Sequence, residues 1–351
     1  MFSIGITTYD RRELLKATLR SVLSQTYGDF EVIVGNDYLD ETLSAERLGI
    51  NDSRIRFINH PRNLGELANM NALLGLSRGR YFTWQFDDDL YAPNFLEAID
   101  AALHAFRFPA CVFTSYDIVR ENPIARPVAY AGREMLYTGR RFLSLYLSGR
   151  LKAMGCTGVY ESAYLKRVGG VERLSDGPFA LHSEYLLLIR AGLLEQIGYI
   201  DAPLVIFHRH EESWGHANRD AGLYKQAGRN LVRESVKLFA RPPLRDDFHR
   251  NLPPMLELSL SALIGKLAAR DGRLSGREAM AYVFSLKEGF DSLKGSPLYW
   301  IARLRLGQAA AWLAWSVVKV KFRFGAPAGL VKMARAIRAR FVRHERRPFW
   351  S

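Results

Sequence analysis

Cysteine is almost absent: only Cys111 and Cys156 occur in 351 residues. Two thiols so far apart exclude a disulfide framework and any zinc-ribbon spacing, and both read as buried small hydrophobes. Long apolar runs are missing as well. The longest stretch without a charged residue, Leu306 to Val318, is thirteen residues, short of the ~20 a membrane-spanning helix needs. No G-x-G-x-x-G follows the first apolar strand and no G-x-x-x-x-G-K-[ST] occurs anywhere. Dinucleotide oxidoreductases and P-loop NTPases, which cradle phosphates in such loops, are therefore disfavoured. No positive leader or small-residue cleavage site stands before Phe2–Ile6, so the sequence reads as cytoplasmic. Internal repeats and low-complexity segments are also lacking.

Acidic residues are scarce in one place. The formal net charge is +13, and residues 301–351 hold twelve Lys/Arg against the single acid Glu345, eleven of those thirteen charges. The body is nearly neutral, so the overall basicity is no argument for nucleic-acid binding, and neither interleaved stacking aromatics nor a nucleic-acid motif is present. The tail places Trp312, Leu313, Trp315, Val317 and Val318 ahead of Arg335, Arg338 and Arg340, which alternate with small and apolar residues. Two readings stand: a basic amphipathic segment on an anionic membrane, peripheral on the inner face of the plasma membrane, or a helical subdomain packing its tryptophans on the body.

What is present is an alternation of strand and helix patterns. Phe2–Thr8, Phe30–Val34, Arg54–Asn59, Tyr81–Phe86 and Ala110–Ser115 read as strands. Between them, Arg11–Ser24, Leu64–Leu76 and a segment from Pro93 to Phe106 show helical spacing. Such alternation predicts right-handed βαβ units, a mostly parallel sheet and an α/β fold. Further on, Arg140–Ser148, Ala163–Val168 and Leu181–Ala191 read as helices. Glu195–Ile200 and Leu204–His208 read as two short strands around the turn Asp201-Ala202-Pro203. From Trp214 the pattern is mostly helical, with loops near Arg241-Pro242-Pro243 and Pro253-Pro254. Open α/β sheets bind ligands beyond the carboxyl ends of their strands. Polar clusters fall at three such ends: Thr7–Asp10, Asn36-Asp37 and Asp87-Asp88-Asp89. Three carboxylates in a row repel one another unless a cation sits among them, and Mg²⁺ or Mn²⁺ shared with substrate phosphates is the natural occupant; a solvated turn is the plainer reading.

The run Ser3-Ile4-Gly5-Ile6-Thr7-Thr8-Tyr9-Asp10-Arg11, then Ser21-Val22-Leu23-Ser24-Gln25-Thr26-Tyr27 and Phe30-Glu31-Val32-Ile33-Val34, resembles the opening of family 2 glycosyltransferases. The resemblance continues through Asn63-Leu64-Gly65, Ser77-Arg78-Gly79-Arg80-Tyr81, the acidic triplet, Gly169-Gly170, Ser183-Glu184-Tyr185 and His210-Glu211-Glu212-Ser213, covering roughly residues 1–215. It implies a GT-A fold and an inverting, metal-dependent transfer from a nucleotide-diphosphate sugar, most simply a UDP-sugar, to a glycan or lipid-linked acceptor. Thr7, Tyr9 and Arg11 would line the base and ribose, Asp37 would bond the nucleoside, and Arg62 and Asn63 would lie beside it. The triplet matches the family's Asp-x-Asp element, with Asp87 and Asp88 toward the nucleotide and Asp89 as metal ligand, the register open by one residue. His210 would be a metal-binding imidazole or a diphosphate contact. Glu184 falls at the catalytic base, where the family usually has Asp. The implied organisation is a GT-A domain over 1–215 (a nucleotide half, 1–120, and an acceptor and catalytic half, 121–215), then a helical region over 216–351. The alternative is a non-catalytic GT-A-like module binding a nucleotide or glycan.

Overall fold

The computed structural model describes residues 2–119, 129–210, 220–271 and 276–322. Among them nine strands form one mixed sheet in the order β3-β2-β1-β4-β8-β6-β9-β5, with β7 also on β9. The first four long strands are β1 (Phe2–Thr8), β2 (Phe30–Asn36), β3 (Ile55–Asn59) and β4 (Tyr81–Phe86). They are parallel to one another, as the alternation predicts. β6 (Cys111–Val119) and β9 (Ile197–His208) form a second parallel pair. The strands joining or flanking these are short and antiparallel: β5 (Leu90–Tyr91), β7 (Arg133–Tyr137) and β8 (Val159–Glu161).

Helices cover both faces. On one, Leu15, Leu19 and Val22 of α1 (Arg12–Leu23) and Leu96 and Ile99 of α4 (Phe95–Ala105) pack on Ile4, Ile6, Val32 and Val34. On the other, Met70 and Leu73 of α3 (Glu66–Leu76), Phe142 of α5 (Gly139–Leu147), Leu165 of α6 (Ser162–Arg167) and Leu187 of α7 (Ser183–Ala191) pack on Ile33, Phe82 and Phe113. A one-turn α2 (Ala45–Leu48) precedes β3, closed by Gly49 in the left-handed region.

Two expectations change. The proposed pair of strands around Asp201-Ala202-Pro203 is the single strand β9. Its register against β6 shifts between Thr114 and Tyr116, so the turn-forming residues are absorbed as a bulge rather than a reversal. The loop expected at Pro253-Pro254 lies within α9 (Phe248–Asp271). Leu252, Met255 and Leu256 are fully buried around those prolines, and burial at roughly 1.5–3 kcal/mol per side chain offsets the lost backbone bonds. The remaining helices are α8 (Ala221–Phe239), α10 (Gly276–Ser285) and α11 (Pro297–Phe322). Asp220 caps α8 by accepting from the N–H groups of Gly222 (2.8 Å) and Leu223 (3.2 Å). The core of these helices includes Leu143 of α5 and Leu186 and Ile189 of α7, so they cover the second half of the sheet domain. Trp312–Val318 fall within α11, whereas the arginine series Arg335, Arg338 and Arg340 lies outside the described residues, as do Glu211–Trp214.

Candidate active site

Hydrogen bonds tie the carboxyl ends of β2, β1 and β4 together. Asp37 N–H donates to Thr8 O (3.1 Å), and Thr8 Oγ1 donates to Asp87 Oδ2 (2.7 Å). Thr7 lies on this edge, level with Gly35 and Phe86. Asp37 is buried, and its Oδ1 accepts from Leu64 N–H (3.0 Å), fastening the loop after β3. Arg62 and Asn63 are exposed on that loop, where Asn63 Oδ1 accepts from Gly65 N–H (2.8 Å). Gly65 has φ +80°, and a Cβ there would strike Pro178, so glycine lets the loop approach 178–180. Tyr9 is exposed and meets Tyr38 edge-on, centroids 5.4 Å apart. Asp10 turns the chain through φ +52°, a region Asp tolerates better than most residues, and Arg11 opens α1.

Arg11 faces the acidic triplet. Its Nη1 is 3.3 Å from Asp87 Oδ1 and 3.1 Å from Asp88 Oδ2. His210 reaches the same oxygen from the end of β9, with Nε2 3.1 Å from Asp88 Oδ2. The imidazole predicted to accompany Asp89 thus accompanies Asp88. Asp89 turns inward, its Oδ1 accepting the backbone N–H of His208 (2.9 Å) while its carbonyl accepts from Thr18 Oγ1 (2.9 Å). Burial, then repulsion from Asp88, raises Asp87 to about 6 despite Arg11 and Thr8. The same two causes hold Asp89 well above the usual carboxylate range.

Glu184 is the second residue of α7. The helix start is firmly set: Ser183 Oγ donates to Glu172 O (2.6 Å), and Arg190 pairs with the Glu172 carboxylate. Gly155 packs on the Glu184 main chain, and any Cβ there would overlap the Glu184 carbonyl oxygen. His182, buried at φ +60°, stacks on Tyr185 at 5.6 Å, and burial lowers it to about 4, so it stays neutral. Burial first, then the Glu66 charge, pushes Glu184 up to about 7. Tyr116, Tyr146 and Tyr185 are raised chiefly by burial and next by the Glu184 charge.

Glu66 was not anticipated. Its Oε2 accepts from Ala180 N–H (3.1 Å), and its carboxyl is raised by burial and by Asp88, with Arg11 opposing. It therefore stands electrostatically between the triplet and Glu184. The available signal was an acid directly after Asn63-Leu64-Gly65, but an acid in a helix's first turn has an ordinary explanation in the helix dipole.

Among the described residues no group of three or more His, Cys, Asp or Glu forms a metal cage. A carboxylate oxygen paired with an imidazole at the site's edge nonetheless suits Mg²⁺ or Mn²⁺, which take one or two protein ligands and complete their shell with phosphates and water. Arg11, on the same oxygen, supplies the positive charge there in the structure.

Residues 3–166 match the family model "Glycosyl transferase family 2". An uncharacterized glycosyltransferase of Haemophilus influenzae is 34% identical over 101 residues, 28% of this chain and 31% of the relative. WcaA of Escherichia coli, a putative colanic acid biosynthesis glycosyl transferase, is 33% identical over 115 residues, 31% of this chain and 41% of WcaA. WfgD of Escherichia coli, a UDP-Glc:alpha-D-GlcNAc-diphosphoundecaprenol beta-1,3-glucosyltransferase, is 26% identical over 124 residues, 35% of this chain and 49% of WfgD. Each match spans less than half the relative's length. Residues 1–349 of S. aureus TarS, solved with UDP-GlcNAc, superpose with a TM-score of 0.63 at 16% identity, covering 93% of both chains. Residues 3–166 thus resemble family 2 glycosyltransferases by sequence, and the fold is the GT-A arrangement with a helical C-terminal region. No helix among the described residues is long and apolar enough to cross a membrane.

Proposed function

We propose that this chain transfers a sugar from a nucleotide-diphosphate sugar to a hydroxyl of a glycan or lipid-linked acceptor, with inversion. One observation carries the reading: Glu184, a carboxyl raised to about 7 by burial and by the Glu66 charge, is linked through Glu66, which also feels Asp88, to a separate carboxylate cluster faced by Arg11 and His210. Two carboxyl sites in contrasting environments suit a division of labour between proton transfer and phosphate handling. Thr7, Tyr9, Asp37, Arg62 and Asn63 line the nucleoside, and Arg11, Asp87 and Asp88 face the diphosphate. Asp88 and His210 would hold Mn²⁺ or Mg²⁺, beside Asp89, the ligand the resemblance implies, whose Oδ1 accepts the His208 N–H. When bound, that ion stabilises negative charge on the leaving diphosphate.

Glu184 takes the acceptor hydroxyl's proton as the oxygen attacks the sugar from the face opposite the leaving group, which inverts the anomeric centre. A base near neutrality is well matched to this task, and such catalysis supplies typically 10²–10⁴-fold. UDP is the favoured nucleotide because TarS was solved with UDP-GlcNAc and WfgD is described as UDP-glucose dependent. The division at residue 215 and the peripheral membrane attachment through the basic tail belong to the same reading. Calorimetric titration of UDP, GDP, dTDP and CMP, with and without Mn²⁺ and with Asp88→Asn as control, tests it. Metal-stimulated binding of one nucleotide, weakened in the variant, is expected. No binding by any nucleotide would overturn it in favour of a non-catalytic glycan-binding module.

A further inference from the structure

We infer that the cavity behind the loop 149–152 is an anion subsite that holds a phosphate group of the acceptor. The inference rests on the reading of Glu184 as base, because it asks where an acceptor offered to Glu184 would extend. Two cavities adjoin there. The first, about 310 Å³, is lined by Tyr116, Tyr146 and Tyr185, with Pro254 and Leu258 of α9 opposite. Tyr185 directly follows Glu184 in α7, so this chamber borders the turn of helix that carries the base. The second, about 580 Å³, shares Gly149, Leu151 and Lys152 with the first and continues past them.

The two chambers differ in chemistry. The first offers aromatic faces and no charged side chain except Lys152 at the shared wall, a surface on which the C–H faces of a sugar ring can lie. The second gathers Arg141, Arg150 and Lys152 against one acid, Asp201. That acid has a cation of its own opposite, since Arg133 is its partner across the β7–β9 ladder. Lys152 stands at the junction. Its carbonyl accepts from Tyr199 Oη (3.0 Å), which fixes its main chain, and its Nζ lies 5.8 Å over the Tyr116 ring. Guanidinium groups bind phosphate oxygens in pairs through parallel N–H donors, and a lysine adds a point charge. Three cations around one cavity exceed what a neutral glycan needs. The donor's diphosphate is not the occupant, because the triplet and the Arg11 and His210 side chains against it are absent from the walls of this cavity. The acceptor therefore lies with a sugar on the tyrosines and a phosphoester among Arg141, Arg150 and Lys152.

The phosphate could belong to a lipid carrier or to the glycan chain itself, and the test separates them. The full chain is saturated with UDP and Mg²⁺, so that the donor site is filled, and titrated with N-acetylglucosamine 1-phosphate or its neutral methyl glycoside. ³¹P and ¹H NMR report binding of each. The expected result is at least tenfold tighter binding of the phosphate, lost in Arg141→Ala/Arg150→Ala and reduced in Lys152→Met, while both variants retain UDP affinity as proof of folding. A short polyprenyl phosphate in detergent and a glycerol-phosphate oligomer then compete for the site, and the stronger competitor names the source. Equal affinity for phosphate and methyl glycoside, or a phosphate affinity indifferent to both variants, would overturn the subsite while leaving the donor reading intact. Failure of UDP itself to bind would overturn the donor reading and the subsite with it.

Discussion

At the ends of β1 and β4 the carboxylates of Asp87 and Asp88 lie against Arg11, Thr8 and His210. At the start of α7 the carboxyl of Glu184 is buried, its charge raises three tyrosines, and the charge that most affects it is another acid, Glu66. Both regions bury carboxyl groups, yet one surrounds them with cationic and hydroxyl partners and the other leaves its acid to desolvation. In the first region Arg11 and Thr8 oppose the upward shift yet leave Asp87 raised to about 6, and these partners suit the binding of charge. The second keeps a proton within reach of neutral pH and suits its transfer.

Changes that abolish this contrast should have the largest effects. Glu184→Gln is expected to lower turnover at least ~100-fold while UDP affinity stays within about twofold, read by steady-state kinetics and calorimetry. Retained activity would remove Glu184 from the chemistry. Asp88→Asn strikes the other region. Metal-stimulated UDP affinity should fall about tenfold or more, equivalent to ~1.4 kcal/mol, and an unchanged metal response would detach Asp88 from the ion.

The pH dependence sharpens the comparison further. With Glu184 at about 7, kcat/KM should rise about tenfold per pH unit toward pH ~7 and then level off. Stability runs the other way. The folded-state pKa lies above the ordinary 4.5, so the neutral acid's favourable contribution is complete below that value and is lost as pH rises through about 7. Glu184→Gln should therefore melt a few degrees above the parent at pH 8, and the gap should close toward pH 4.5; a gap independent of pH would contradict the raised pKa. The smallest effect concerns Thr8→Val, which removes one hydrogen bond to the buried Asp87. Denaturant unfolding should show a loss of about 1 kcal/mol, and no loss would mean Asp87 does not depend on that bond.

Much of this was legible in the residues, for identifiable reasons. β1, β2 and β4 are buried almost throughout, so they read as near-continuous apolar runs, and the polar residues ending them stand out. Two- and three-residue strands such as β5 and β8 leave no period to detect, and β7 is largely exposed. The position of Glu184 came from the resemblance, and its environment came only from the structure, because Tyr116, Tyr146 and Glu66 are distant in sequence. The register of the triplet was undecidable from three identical side chains. What separates them is contact with distant chain, as when Asp89 accepts the backbone N–H of His208, 119 residues further along.

That engagement gives β9 an importance beyond pairing. One end of the strand holds Asp89 through His208 and carries His210 just beyond it, and the other end supplies Tyr199 and Asp201 to the cationic cavity. Seven residues separate Asp201 from His208, at most roughly 23 Å of extended chain. The strand works as a ruler with the acidic triplet at one mark and the cationic cavity at the other. Side chains near the Asp201 mark can be exchanged for others without resetting the His208 mark. A lineage could change what it glycosylates by editing one end of a single strand and keep its nucleotide chemistry untouched at the other.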